Sequence, residues 1–422
     1  MPKDLIVLCD GTAGSPEGQP NNPTNVRIFN QILGQEQPIA ESDPKQGWEI
    51  RDICDAQGAV ERKVYYHRGL GAVFPEVDPK SLSWSQWAAS FLWPAGRAMS
   101  EVAALGIMNQ VKELYYFLAK HYEEGDPIYL FGFSRGAYAL RILITFIRHI
   151  GLIDKQKFPD EIALKKCIEE GFSLYSKDIH PDDNQAVKDF RHKNSHDYKK
   201  IVHFLGLWDT VPGFVVQSVR NDPQLTSVVE IARHAVAANE DRDFFKPDLW
   251  DPNSSRHPTQ TRDSVQMWFP GNHCDTGGFY PPEERALADA TLVWMAEEAI
   301  KNGLTIEAQA LDAYRKNISA LAIQHDSFFE SVVPGAPITW ESICRLYHRP
   351  MAQTTSDEAV HPSVFERYRK RVPVMKGESC EEELYNPSNL RHLLFAYNNL
   401  KRESGPIPRP EIGAVLDTTL RI

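Results

Sequence analysis

One short stretch constrains the fold of this chain more than any other: Ile128-Tyr129-Leu130-Phe131-Gly132-Phe133-Ser134-Arg135-Gly136-Ala137. An apolar run of strand type enters Gly-x-Ser-x-Gly and leaves into a helical pattern carrying Ala137, Leu140, Arg141, Ile144 and Ile147. The two glycines let the backbone turn sharply and keep side chains clear, which forces Ser134 to the tip of the turn. The N–H of Arg135 and the positive end of the following helix then face any oxyanion formed there. A tight turn with Ser134 as a helix N-cap would satisfy the bare pattern too. The strand–turn–helix context favours a nucleophile.

Other apolar runs share the strand character of 128–133: Leu5 to Cys9, Val64 to His67, Ile201 to Trp208 and Val265 to Phe269, each followed by a polar or glycine-containing turn. Runs of this length suit strands buried on both faces of a mainly parallel sheet. Between them, Leu105, Met108, Val111, Tyr115 and Leu118 recur at helical spacing over 101–122, and Gly125-Asp126-Pro127 closes that helix. The segment 231–240 also reads as a helix. Strand and helix in alternation predict an α/β fold of the α/β-hydrolase kind, a doubly wound sheet. The expected layout is a catalytic domain over 1–304 with insertions at 13–62, 72–100 and 154–199. A C-terminal helical and loop-rich accessory region over 305–422 packs on it.

Composition excludes several classes of partner. The 57 acidic against 46 basic side chains leave a net charge of −11, which repels phosphate backbones, so nucleic acid is not an expected partner. The 6 cysteines show no CxxC pair or repeated spacing and read as reduced thiols. No run of about 18 apolar residues marks a membrane span, and the N-terminus reads as a strand rather than a signal peptide. The expectation is a cytoplasmic protein, with signal-less export left open and transient membrane contact allowed. Nothing in the sequence speaks to oligomeric state.

A serine hydroxyl needs a histidine base and an orienting carboxylate, in the chain order Ser, Asp or Glu, His for α/β-hydrolases. Asp209 follows the strand at 201–208, and His273 lies in the glycine-rich loop after the strand at 265–269. Both therefore fall on the rim where such a sheet delivers its catalytic side chains. Asp275 rivals Asp209 as the partner of His273, or merely caps the next helix. Backbone N–H groups of Arg135 and Gly11 are the candidate oxyanion donors. Asp10 and Thr12 flank Gly11, and Asp10 either supports the site or braces a turn. His234 reads as a structural hydrogen-bonder. Trp84 and Trp87 stand in an aromatic stretch that is either core or a lid over an apolar substrate. No cofactor is needed for this chemistry. Two other classes stay open: a metal-dependent phosphohydrolase using Asp10, Asp209, His273 and Asp275, and a catalytically silent interaction module.

Taken in order, the motifs resemble a known family. They are Cys9-Asp10-Gly11-Thr12, Asn22-Pro23-Thr24-Asn25-Val26, Tyr65-Tyr66-His67-Arg68-Gly69-Leu70-Gly71, the serine turn, Leu207-Trp208-Asp209-Thr210-Val211, Arg233-His234-Ala235-Val236-Ala237 and Phe269 to Gly278. The likeness runs over roughly 4–300, with fainter echoes in His361-Pro362-Ser363-Val364 and Tyr385-Asn386-Pro387. The chain is similar to the α/β-hydrolase domain family that includes phospholipase effectors of bacterial type VI secretion. That resemblance implies a triad of Ser134, Asp209 and His273, ester hydrolysis, and glycerophospholipids as the substrate class. The short tail after residue 300 departs from what the effectors lead one to expect.

Overall fold

The computed structural model describes residues 2–11, 22–34, 39–43, 47–69, 96–175, 184–196, 201–212, 225–242, 245–250, 263–326, 358–376 and 379–387. The helix over 96–121 is described to its backbone alone before residue 106. Thr12, Trp84 and Trp87 lie outside these residues, as does the candidate lid over 72–100 up to residue 95; its last five residues open the helix over 96–121.

A sheet of nine strands forms the centre, in the order β10-β8-β7-β6-β5-β1-β4-β3-β2. Strands β1 (Asp4–Cys9), β4 (Val60–His67), β5 (Ile128–Phe133), β6 (Val202–Trp208), β7 (Val229–Ala237), β8 (Asp263–Phe269) and β10 (Glu358–Val360) run parallel. Strands β2 (Ile39–Asp43) and β3 (Trp48–Cys54) extend one edge antiparallel. The architecture is thus α/β with a mostly parallel sheet, as its apolar runs predict.

The period of two along each strand divides the core. Leu5, Val7 and Cys9 of β1, with Ile128 and Leu130 of β5, pack into one cluster under helices α2 (Gly96–His121) and α3 (Ser134–Ile150). Ile6 and Leu8, with Tyr129, Phe131 and Phe133, pack into another under α1 (Asn25–Ile32) and a later helix at Ala286–Lys301. Both faces of the central strands are therefore covered, which is why their sequences are continuously apolar rather than alternating. Charged α4 (Glu161–Leu174) and α5 (Gln185–Asn194) fill most of the stretch read as an insertion at 154–199.

Two regions differ from the sequence reading. Residues 231–240 do not form a helix, because 229–237 is the buried strand β7 between β6 and β8. Alanines and an interior Arg-His pair hide its strand character. Arg233 is tolerated because its guanidinium pairs with Glu298 and, at 2.9 Å, with Asp263. The stretch 13–62, read as a loop-rich insertion, supplies α1 and the edge strands β2 and β3.

Beyond residue 305 the chain adds β10 to the main sheet and builds a second one from β9 (Gln324–His325), β11 (Arg371–Lys376) and β12 (Ser379–Leu384). Val372, Val374 and Tyr385 of this layer pack on Val236 and Trp268 of β7 and β8. Among the described residues no helix is long and apolar enough to cross a membrane.

Candidate active site

Strand order sets the position of the site. The chain leaves β1 to build β2, β3 and β4 on one side, then crosses over to lay β5, β6, β7 and β8 on the other. Ligands bind α/β sheets where the strand order reverses, outside the carboxyl ends of the strands. Here that point lies between β1 and β5, so the turns after Cys9 and Phe133 lie side by side.

Ser134 has φ = 55°, a left-handed conformation that non-glycine residues adopt only when their surroundings enforce it. Two glycines create those surroundings. A Cβ on Gly132 would stand 2.9 Å from the Cα of Ala137, so only glycine lets the start of α3 fold back over its own strand. A Cβ on Gly136 would overlap the carbonyls of Cys9 and Asp10, so only glycine lets α3 pass the end of β1. The helix begins at Ser134, so the N–H groups of its first turn, which have no partner within the helix, lie at the C-terminal rim of the sheet. Burial lowers the Arg135 guanidinium to about 10, still cationic at neutral pH.

Phe133 and Trp208 are register partners at the ends of β5 and β6, so Ser134 and Asp209 leave neighbouring strands at the same level. Asp209 also has a positive φ, 36°. Its N–H donates to the Ala235 carbonyl at 2.7 Å, and its Oδ1 accepts the Ala237 N–H at 3.0 Å. These bonds aim Oδ2 at His273, whose Nδ1 stands 2.7 Å away. A carboxylate can only accept, so Nδ1 carries the proton and Nε2 of the neutral ring is left as the basic nitrogen. Burial holds the His273 pKa below its ordinary value, opposed by the hydrogen bond and the charge of Asp209. The imidazole stacks on Phe133, 4.6 Å between centroids, and meets the edge of Phe245 at 4.9 Å.

His273 opens the short helix α6 (His273–Gly277). Asn272 caps it by accepting the N–H groups of Cys274 and Asp275, while Asp275 Oδ2 accepts the Asn272 N–H at 3.0 Å. Asp275 is therefore the capping residue of the two roles the sequence left open. Its Oδ1 faces His325 Nδ1 at 2.7 Å and not His273. Among the described residues no hydrogen bond joins Ser134 Oγ to His273 Nε2. In free enzymes this contact is often long and tightens with substrate.

Gly11 lies against the serine: a Cβ there would be 3.3 Å from Ser134 Cβ. Its N–H is engaged by Asp10 Oδ1 at 2.7 Å. Asp10 Oδ2 accepts from Thr24 Oγ1 at 2.7 Å and from the Tyr66 hydroxyl at 3.0 Å. Burial, offset in part by these bonds, pushes the Asp10 carboxyl up to about 6. Asp10 thus braces the turn that presents Gly11. His234 lies on β7, where its Nε2 accepts the Thr210 N–H at 3.0 Å and so steadies the residue after Asp209.

The four residues of the metal reading do not form one ligand set. Asp10 is committed to Thr24, Tyr66 and Gly11, and Asp275 to Asn272 and His325. Among the described residues no group of three or more His, Cys, Asp or Glu could hold a metal ion.

Sequence reasoning missed Glu240, Arg242, Phe245 and His325. Glu240 and Arg242 are a fully buried ion pair, 2.7 Å between Oε2 and Nη2, and Glu240 Oε2 also accepts the His273 N–H at 3.3 Å. Only the coincidence of Asn239-Glu240 with a strand end could have drawn attention to this pair. The contact between His325 and Asp275 spans 50 positions and leaves no local signal.

This fold and site define a class: an α/β protein whose serine-bearing strand–helix turn shares a rim with a buried aspartate–histidine pair. Residues 3–298 of the 422 match the family described as T6SS, Phospholipase effector Tle1-like, catalytic domain. The chain belongs to that family. It is 32% identical over 255 residues to the uncharacterized protein YEL023C of Saccharomyces cerevisiae, a match covering 58% of this chain and 32% of that protein. An uncharacterized protein from Pseudomonas aeruginosa, known from its crystal structure, aligns with a TM-score of 0.38 at 15% identity, over 73% of this chain and 47% of that one. The Tle1 effector bound to the VgrG spike of the type VI secretion system aligns with a TM-score of 0.28 at 16% identity, over 67% of this chain and 52% of that one. The chain matches about a third of the length of the yeast protein and about half of each solved chain.

Proposed function

We propose that this protein is a serine hydrolase of the α/β-hydrolase kind that cleaves carboxylic ester bonds of glycerophospholipids. Ser134 is the nucleophile, His273 the general base and Asp209 its orienting carboxylate. The observation that carries the reading is the buried 2.7 Å contact between His273 and Asp209 on the same rim as the strained turn of Ser134. Family membership supports the lipid substrate.

In the first step His273 Nε2 takes the Ser134 proton as Oγ attacks the ester carbonyl. The oxyanion is met by the Arg135 N–H, and by the Gly11 N–H once it leaves Asp10. His273 then returns the proton to the departing lysophospholipid oxygen, leaving an acyl-serine. Water, deprotonated by the same nitrogen, attacks the acyl carbon, and its proton passes to Ser134 Oγ as the fatty acid leaves. Asp209 stays ionised throughout and stabilises the imidazolium. Removing one oxyanion donor costs about 10²–10³ in rate.

Vesicles of phosphatidylethanolamine and phosphatidylglycerol, incubated with the protein with and without chelator, test this reading by their products. Free fatty acid and lysophospholipid are expected, insensitive to chelator and absent with Ser134→Ala. Release of a phosphorylated headgroup, or a chelator-sensitive activity that survives Ser134→Ala, would establish phosphodiester or phosphomonoester chemistry instead.

A further inference from the structure

The segment after β7 contains a charged pair that the triad does not use. Glu240 and Arg242 are 0% and 1% exposed. The desolvation of two such charges is repaid only by close, well-formed bonds, and here they are close. Glu240 Oε1 accepts from the Arg242 N–H at 3.0 Å and from its Nε at 2.7 Å, while Oε2 accepts from Nη2 at 2.7 Å.

Both members reach His273. Glu240 Oε2 accepts the His273 main-chain N–H at 3.3 Å, which anchors the first residue of α6. The Arg242 guanidinium lies 3.7 Å above the centre of the Phe245 ring, and Phe245 in turn abuts the imidazole. One residue earlier, Asn239 exchanges hydrogen bonds of 2.9 Å with Gly271 through its N–H and its Oδ1. Asn239, Glu240, Arg242 and Phe245 therefore grip the loop that carries the histidine at its backbone and at its ring.

We propose that Glu240 and Arg242 are positioning residues for His273: the pair fixes the main chain and ring of the base and balances the charge around it. The inference rests on the reading of His273 as the base. Among the described residues, the charged groups facing the imidazole are Asp209 from the end of β6 and Glu240 and Arg242 after β7. Strand β5 contributes the Phe133 ring, and Asp275, on α6 itself, is turned toward His325. Glu240 favours the imidazolium and Arg242 disfavours it. Removing either charge must then move the titration of the base, in opposite directions.

The test is the second-order rate of fluorophosphonate labelling of Ser134 as a function of pH, in wild type, Glu240→Gln, Arg242→Gln and the double variant. Each rate is divided by the folded fraction read by circular dichroism at the same pH, so that acid unfolding does not shift the midpoint. The Glu240→Gln midpoint is expected at lower pH than wild type, and the Arg242→Gln midpoint at higher pH. The double variant removes both members of the pair together and is expected with a midpoint between the two. Glu240→Ala, which removes the acceptor of the His273 N–H as well as the charge, also lowers the plateau rate by about ten- to a hundredfold. Midpoints that coincide with wild type, or that move in the same direction, overturn the inference while leaving the triad intact. A wild-type protein that does not label at all removes the reading of the site, and this inference with it.

Discussion

Two buried aspartate–histidine pairs each take one member from α6 and have different surroundings. In each, an imidazole Nδ1 lies 2.7 Å from a carboxylate oxygen: His273 with Asp209, and His325 with Asp275. His325 is held at its other nitrogen too, by Glu284 at 3.2 Å, and it lies flat on Tyr280, 3.5 Å between centroids at 9°. His273 has aromatic rings around it and no hydrogen bond to Nε2 among the described residues, and it faces the rim where Ser134 turns. A histidine bound at both nitrogens is a bracket, here fastening the C-terminal layer to the capping residue of α6. A histidine bound at one nitrogen keeps a lone pair for chemistry. The carboxylate contact alone does not distinguish them; the fate of the second nitrogen does.

Substitutions separate the two pairs. Ser134→Ala and His273→Ala are expected to lower kcat for fatty-acid release by about 10⁴–10⁶, whereas His325→Ala stays within about tenfold of wild type per folded molecule. Asp209→Asn should lose about 10⁴ in kcat with little change in melting temperature, because the ring keeps its place but not its tautomer. Stability should reverse the order. His325→Ala strands the Asp275 carboxylate in the interior, and urea unfolding should show a loss of about 3–5 kcal/mol.

Gly11→Ala sharpens the picture of the rim. The added methyl would sit 3.0 Å from the Phe133 ring and 3.3 Å from Ser134 Cβ, and kcat should drop by about ten- to a hundredfold with KM nearly constant.

The smallest expected effect is one of pH. The base must be neutral to act, and burial holds His273 below the ordinary imidazole pKa. Activity should therefore persist as pH falls through about 6.5, the ordinary value, and decline only below it. The linkage has the same sign for stability. Folding of a chain whose histidine is held neutral weakens as pH drops below the unfolded-state pKa, because the unfolded chain takes up the proton first. A rate profile with its midpoint above 6.5 would contradict this.

The apolar, doubly covered strands were legible because burial on both faces leaves a continuous hydrophobic run, and the parallel sheet follows from them. Ser134, Asp209 and His273 stood out in the sequence because each follows such a run, in the turn or loop at the C-terminal end of its strand. β7 was not legible: Arg233 and His234 look like a helix surface until Glu298, Asp263 and the Thr210 amide are seen to partner them. Asp275 could not be separated from Asp209 by sequence, since its partner lies 50 positions away on β9. Edge strands β2 and β3 escaped notice because they are largely uncovered and carry no apolar run.

The most direct test is mass-spectrometric mapping of a fluorophosphonate adduct on wild type, Ser134→Ala, His273→Ala and His325→Ala. The adduct is expected on the Ser134 peptide in wild type and His325→Ala, and in neither of the other two. An adduct that persists in Ser134→Ala, or one lost in His325→Ala but retained in His273→Ala, would contradict the assignment of the base and nucleophile.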